Sequence, residues 1–243
     1  MSPLPDDIAR ALGYPYPRPA GSFLFSGGAA QALPPETDFG GRIPVLACGS
    51  NGSPVQLLRK YGTSPDYRIP VTAAKLHDIC CSYSAHFSGY GSVAAALHAA
   101  PGAVTHVHIT WLNERELMRM HETEAIGQNY RFVRMEGVGL HCAEHGAIDT
   151  VHAYLSLRGS LLLDGRPVAL GGIDCSGAPF PVLDQQAIQS RLRDTFAPGM
   201  DLHDFIRQNI TDAKLRAERT NRLARHAQVF DHPGITALLD QAI

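Results

Sequence analysis

The sequence predicts an α+β chain built round a compact sheet, and three observations point to it. Short runs rich in β-branched and aromatic residues recur from Ile43 onward, and turn residues punctuate them. The 17 Pro and 23 Gly exceed what a helical bundle would tolerate. From Asp184 to the C-terminal region the apolar period becomes helical. At 243 residues the chain can bury a full core in one sizeable domain with extensions.

Residues 1–41 are rich in Pro, Gly and small side chains, and Tyr14-Pro-Tyr-Pro-Arg-Pro reads as extended polyproline-like chain. This stretch is expected to be an arm lying over a domain of residues 42–210, where the core begins at Ile43. The run Ile43 to Ala47 reads as a buried strand that empties into Cys48-Gly49-Ser50-Asn51. Ser53-Pro54 then starts a short helix through Gln56 to Tyr61, with a proline at the first helical position. Two strands follow, Ile69 to Leu76 and Asp78 to Ala85. A Gly-rich turn at Gly89 to Gly91 leads into a strand of small residues ending at Leu97. Pro101-Gly102 reads as a turn, and Ala103 to Leu112 as the next strand.

Asn113 caps a helix with Glu114 and Glu116 in its first turn and Leu117, Met118 and Met120 as its apolar face, ending by Gly127 and Asn129. Tyr130 to Leu140 and Asp149 to Leu157 form a hairpin across Glu144-His145-Gly146. Leu161 to Pro167 is a strand and a turn. One helix runs from Asp184 to about Phe196 and a second from Leu202 to about Arg225. The second carries Arg216, Arg219, Arg222 and Arg225 at spacing three, a solvated stripe or a docking face. Residues 211–243 are read as a basic helical extension.

Charge is balanced, with 21 Lys and Arg against 23 Asp and Glu, so nucleic acid is not an expected partner. Met1 to Asp7 lacks a basic region followed by an apolar run, so a secretory signal is not expected. No apolar run approaches the roughly 20 residues of a membrane span. Five cysteines without framework spacing fit reduced thiols in a cytoplasmic protein.

The turn at 48–51 can aim backbone N–H groups at one oxygen, as an oxyanion or carboxylate site requires. About seventy residues later, a helix end carries Glu122 and Glu124, and Tyr130 follows. A turn that holds an acyl oxygen and a carboxylate that moves a proton are the two parts of an acyl-transfer site. Glu122, two residues from Glu124, points to another side of the helix and is read as surface. Twelve histidines include His106 and His108 on one strand face, His121, His141, His145 and His152. His141 and His145 lie near a hairpin turn, where their spacing carries no zinc-site meaning, so neither metal nor cofactor is expected. Cys48 is either a nucleophile beside two backbone amides or a small apolar filler at a strand end, and filler is the favoured reading. Cys80 and Cys81 point to opposite faces of a strand and are read as structural.

The order of these pieces resembles the gamma-glutamylcyclotransferase-like family. The pieces are Gly49-Ser50-Asn51 after a strand, Gly91 to Leu97, Pro101-Gly102, the strand Val104 to Leu112, and Glu124 with Tyr130. Ala153-Tyr154-Leu155 and the helices after Asp184 are similar to later parts of that family. The resemblance spans roughly 43–210. It implies a small mixed β-barrel flanked by helices, Glu124 as general acid and base, and Cys48, Gly49, Ser50, Asn51, Tyr130 and Tyr154 around the substrate. The reaction it implies is attack of a γ-glutamyl amine on its own γ-carbonyl, releasing 5-oxoproline and an amine. Cys48 stands where the family has tyrosine, and Ala94-Ala95-Ala96-Leu97 replaces Pro-Ala-Thr-Leu, which changes the pocket wall and the substrate to be expected. An amide hydrolase or lyase using Glu124 or Cys48, and a non-catalytic small-molecule-binding module, are the alternatives. The partner is a small-molecule substrate. The arm would cover the pocket or serve the neighbouring subunit of a homodimer.

Overall fold

Two 20-residue strands, β4 (Arg68–Phe87) and β5 (Val93–Leu112), form the spine of the molecule and pair antiparallel along most of their length. The structure is a computed structural model that describes residues 4–241. Before the spine come α1 (Asp6–Leu12), β1 (Phe23–Ser26), β2 (Ala29–Ala32), β3 (Ile43–Ala47) and α2 (Pro54–Tyr61). After it come α3 (Glu114–Glu122), β6 (Tyr130–Glu136), β7 (Leu140–Cys142), β8 (Gly146–Ala147) and β9 (Thr150–Ser156). Short strands β10 (Leu162–Leu163), β11 (Arg166–Pro167), β12 (Ala169–Leu170), β13 (Cys175–Ser176) and β14 (Val182–Leu183) lead to α4 (Gln185–Phe196), α5 (Leu202–Thr211), α6 (Ala213–Ala224) and β15 (Ile235–Leu239).

The main sheet runs β14-β12-β4-β5-β3-β9-β6-β15, with β3 parallel to β9 and β12 parallel to β14. This is a mixed α+β fold with a large mixed sheet and six helices among the described residues. Among those residues the strand path does not close on itself, so the expected barrel closure is not seen. None of the described helices is long and apolar enough to cross a membrane.

Several elements differ from the sequence reading, each for a local reason. The two strands expected at Ile69 to Leu76 and Asp78 to Ala85 are one strand. Asp78 takes a positive φ of 60° at a bulge, and its carboxylate accepts the N–H of Gly102 at 2.7 Å. Pro101-Gly102 therefore lies in the same bulge and reverses nothing; β5 passes straight through it. The arm is not merely extended: α1 packs Ile8 and Ala11 against Ile206 of α5, and β1 pairs with β4, burying Phe23 and Phe25. The core thus begins well before Ile43.

The expected second long helix is two, broken at Asp212, which caps α6 through a bond from the Leu215 N–H. Its arginines divide: Arg219 is buried and Arg216 partly so, while Arg222 and Arg225 are exposed. The Arg219 guanidinium donates to Asn209 and Gln208 and stacks on Phe205, while Arg222 covers Phe196. The C-terminal region also holds β15, which the helical reading omitted, added beside β6. The hairpin of β6 and β9 is as expected, but β7 leaves it to pair with β4. Met118, expected on the buried face of α3, is exposed.

The apolar interior lies on both faces of the spine. Leu76, Cys81, Leu97, Val107 and Ile109 face one cluster, closed by Ile188, Leu192 and Phe205 of the C-terminal helices. Val71, Val45 and Leu112 face another with Leu57, Tyr61 and Met120 of α2 and α3. Those two helices bring the ends of two distant loops together. One loop follows β3 and the other follows α3.

Candidate functional site

β3 ends at Ala47, and the chain turns through Cys48 and Gly49 into a single 3₁₀ turn, Ser50–Gly52. The leading N–H groups of such a turn have no partner within it. Gly49 is required by close approach: a Cβ there would collide with the phenol oxygen of Tyr14 and with the Ala95 methyl. α2 then runs away from this turn and carries Lys60 on the same inward stripe as Leu57 and Tyr61. Across from it, α3 ends at Glu122, and Thr123 and Glu124 follow in a tight bend.

The two loops meet at Glu124. Its Oε1 accepts from Asn51 Nδ2 at 2.8 Å and from Lys60 Nζ at 2.6 Å. Lys60 Nζ also donates to Thr123 Oγ1 at 2.7 Å. The ion pair is well buried, with side-chain exposures of 4% for Lys60 and 13% for Glu124. Oε2 of Glu124 has no protein partner among the described residues, and the carboxylate lines a cavity of about 280 Å³. Glu122, by contrast, points outward at 58% side-chain exposure and pairs with Arg119, as its place on the helix predicts.

The same cavity gathers the catalytic and substrate-binding residues that the family resemblance implied: Cys48, Gly49, Ser50, Asn51, Glu124, Tyr130 and Tyr154 all border it. Tyr130 donates to the Ala95 carbonyl at 3.1 Å, and the Tyr154 hydroxyl meets His121 Nδ1 at 2.8 Å. Burial, reinforced by the Glu124 charge, raises both phenols above their ordinary range, so each remains a protonated hydrogen-bonding group. Cys48 packs at the strand end within the apolar core beside Cys81. A hydrogen bond with Cys48 and then burial push the Cys81 thiol up, away from thiolate chemistry.

The residues that border the cavity but were not singled out as site residues from the sequence include Lys60, Tyr14, Thr123 and His86, with Gln56, Ser88 and Tyr90 among the others. Lys60 was one lysine on a short helix; the available signal was its spacing of three from Leu57 on the inward face. Tyr14 belongs to the proline-rich stretch, and its hydroxyl accepts from the Ala95 N–H at 2.9 Å. Burial raises this phenol too. Thr123 and His86 are two more of these lining residues.

Compared with protein-family models, curated proteins and solved structures, the chain matches none. The chemistry must therefore be argued from the cavity itself.

The histidines that invite a metal reading are spread out. His121 bonds Tyr154, His145 stacks on Trp111, and His152 reaches the Pro44 carbonyl at 3.3 Å. The described residues contain no group of three or more His, Cys, Asp or Glu placed to hold an ion. All five cysteines are free thiols, and Cys80 and Cys81 face different clusters, as strand alternation requires. What the cavity offers is one half-free carboxylate, an ammonium that orients it, backbone N–H groups at a glycine turn, and protonated phenols. That set can move a proton and hold an oxygen that gains charge.

Proposed function

We propose that the chain is a cyclotransferase-like enzyme that cleaves a small γ-glutamyl-type amide by attack of the substrate's own amine. The observation that carries this reading is the bond from Asn51 to Glu124, which joins the glycine turn to a carboxylate whose second oxygen is free. At about 280 Å³ the cavity sits at the small end of the roughly 300–1,000 Å³ range of ligand pockets, which favours one amino-acid-sized acyl group.

In this mechanism the acyl group folds back so that its α-amine meets its γ-carbonyl, an intramolecular attack that needs positioning more than a strong nucleophile. Glu124 Oε2 takes the ammonium proton as the new C–N bond forms. The carbonyl oxygen, now bearing charge, is held by the N–H groups of Gly49 and Ser50 and by the Tyr14 hydroxyl, whose oxygen lies against Gly49. The protonated Glu124 gives that proton to the leaving nitrogen as the amide C–N bond breaks. The ring nitrogen passes its remaining extra proton to the departing amine, and 5-oxoproline and an ammonium product leave. Lys60 and Asn51 hold the carboxylate through the opposite oxygen, so its direction stays fixed while Oε2 works. Closure of the strands into the family's barrel belongs to the same proposal; the paired β4 and β5 with β3, β9 and β6 would be its staves.

The test is to incubate the protein with a panel of γ-glutamyl amines and dipeptides and measure 5-oxoproline. Turnover should be present in the native chain, fall about a thousandfold in Glu124→Gln, and survive Cys48→Ala. Full activity in Glu124→Gln would end this assignment. Loss of activity in Cys48→Ala alone would move the chemistry to the thiol.

A further inference from the structure

His86 lies on β4 with its ring in the wall of the same cavity, 2% exposed, and the mechanism above makes no use of it. Its Nδ1 is 2.7 Å from Ser84 Oγ, and Ser84 Oγ is 2.7 Å from Ser156 Oγ. Ser156 Oγ in turn accepts the backbone N–H of Arg158 at 3.0 Å. Nε2 has no partner among the described residues.

The direction of this chain follows from counting hydrogens. Ser156 already accepts from the Arg158 N–H, so its own hydroxyl hydrogen has one available acceptor, Ser84 Oγ. Ser84 then has its hydrogen to give, and His86 Nδ1 receives it. The reverse order, from Nδ1–H to Ser84 to Ser156, would leave the Ser156 hydrogen without an acceptor in a buried place, which is costly. Nδ1 is therefore the acceptor and the proton resides on Nε2. Burial, helped by the charge of Arg158, pushes this imidazole down to about 3, so it is neutral where the protein works. The ring meets Tyr130 edge to face at 5.5 Å, which fixes its plane.

We infer that His86 is a specificity-determining residue: a neutral Nε2–H donor, its polarity set by the Arg158–Ser156–Ser84 chain, that binds a carboxylate or carbonyl oxygen of the ligand and rejects a cation. For a γ-glutamyl substrate the oxygen would belong to the acyl group or its carboxylate. That identity of the ligand rests on the cyclotransferase reading; the donor itself does not. A protonated imidazole would attract anions without discrimination. A neutral donor with a fixed tautomer selects by geometry, because an ammonium placed opposite it would face a hydrogen and no lone pair.

The experiment is ¹⁵N NMR of histidine-labelled full-length protein, with His86→Gln identifying the signal. His86 should show a protonated Nε2 and a bare Nδ1, unchanged from pH 7.5 to pH 5. Glutarate and 5-oxoproline should each move that Nε2–H resonance, and n-butylammonium should leave it in place. In steady-state assays His86→Phe should raise KM about tenfold or more with kcat changed less, and His86→Gln, whose amide can place an N–H near the same point, should recover most of it. A protonated Nδ1, an imidazolium at pH 6, or a response to butylammonium overturns the inference. If glutarate moves His86 but no γ-glutamyl amide yields 5-oxoproline, the donor stands and the cyclotransferase reading falls. If 5-oxoproline forms while His86 remains unmoved by either ligand, the reading stands and the donor falls.

Discussion

Each end of α3 is flanked by a glutamate paired with a cation: Glu116 in the first turn is fully buried, and Glu124 just past the last turn is part-buried. Only Glu124 has an oxygen without a partner among the described residues. At the start, Glu116 is 1% exposed and both its oxygens are occupied. Oε2 takes Arg42 at 2.7 Å and the Asn113 N–H at 2.9 Å, and Oε1 takes the Arg68 N–H at 3.1 Å. Together with the bond from the Glu116 N–H to Asn113, this forms a closed capping box with an extra ion pair. At the other end, Glu124 concentrates both its bonds on Oε1, leaves Oε2 without a partner among the described residues, and lines a cavity. Both carboxylates are paired with a cation; they differ in burial and in whether every oxygen has a protein partner. On the proposed mechanism the oxygen without a partner is what lets Glu124 act on a ligand.

The sharpest way to break this comparison is to neutralise each carboxylate in turn. Glu124→Gln should remove about a thousandfold of turnover, equal to about 4 kcal/mol of transition-state stabilisation, while leaving a folded protein. Because Glu124→Gln also leaves Lys60, 4% exposed, without its carboxylate, a stability cost of about 3 kcal/mol should accompany the lost turnover. Glu116→Gln should show the stability cost alone. Leaving Arg42 unpaired and loosening the cap should cost about 3 kcal/mol of stability, with the remaining folded molecules still turning over. Urea unfolding and a 5-oxoproline assay on both variants check this. Equal losses of turnover in the two would show that the helix ends are not distinct in function.

That these residues would meet was partly legible in the sequence. Gly49-Ser50-Asn51 after a strand and Glu124 after a helix are each weak signals alone. Their order along the chain, with the family resemblance, is what grouped them, and the structure places them round one cavity. Lys60 carried only a weak signal, because a lysine on an eight-residue helix reads as solvated until its stripe is known to face inward. Tyr14 was hidden by its prolines, and His86 by a partner chain that closes through Ser156, 70 residues away in sequence. The fold shows the same division. The helix start at Asn113 was legible from its cap, and the one at Asp184 from the change to a helical apolar period. The continuity of β4 and β5 was not, since Asp78 and Pro101-Gly102 are breakers that a shared bulge accommodates. Pairing of β1 with β4 and of β15 with β6 depends on edges offered by distant strands, which no local pattern announces.

Tyr14→Phe is the next test of the open end. The phenol does two things there: it accepts the Ala95 N–H and stands against the Gly49 turn. Removing the hydroxyl should lower kcat about a hundredfold, about 3 kcal/mol, as loss of an oxyanion donor does. It should also cost about 1 kcal/mol of stability through the orphaned N–H. A variant with lowered stability and unchanged kcat would confine Tyr14 to packing and leave the Gly49 turn as the sole oxygen holder. At the closed end the matching phenol is Tyr61, whose hydroxyl donates to the Glu116 carbonyl at 2.8 Å. Tyr61→Phe should lower stability by a similar small amount and leave kcat alone.

Acid should separate the two ends by a smaller margin. The open end is bordered by imidazoles that burial keeps neutral: His86, pushed down to about 3 from 6.5, and His121, lowered by burial against the opposing pull of Glu124. The closed end holds its glutamate with an arginine and backbone N–H groups and has no histidine among those partners. A histidine whose folded value lies below its unfolded one binds its proton more readily when the chain is unfolded. Its stability contribution is thus complete above about pH 6.5 and declines as pH falls toward 3. At pH 5 the His86 share of that loss is about 2 kcal/mol, from 1.36 kcal/mol for each of the roughly 1.5 pH units below 6.5. Urea titrations at pH 7.5 and pH 5 should show the loss in the native protein and a difference smaller by about that amount in His86→Gln. Amide exchange at pH 5, corrected for intrinsic rates, should rise first around residues 84–87 and 121–124, with residues 113–117 following. Protection lost equally at both ends would mean that acid acts on the fold as a whole and that the open end has no acid sensitivity of its own.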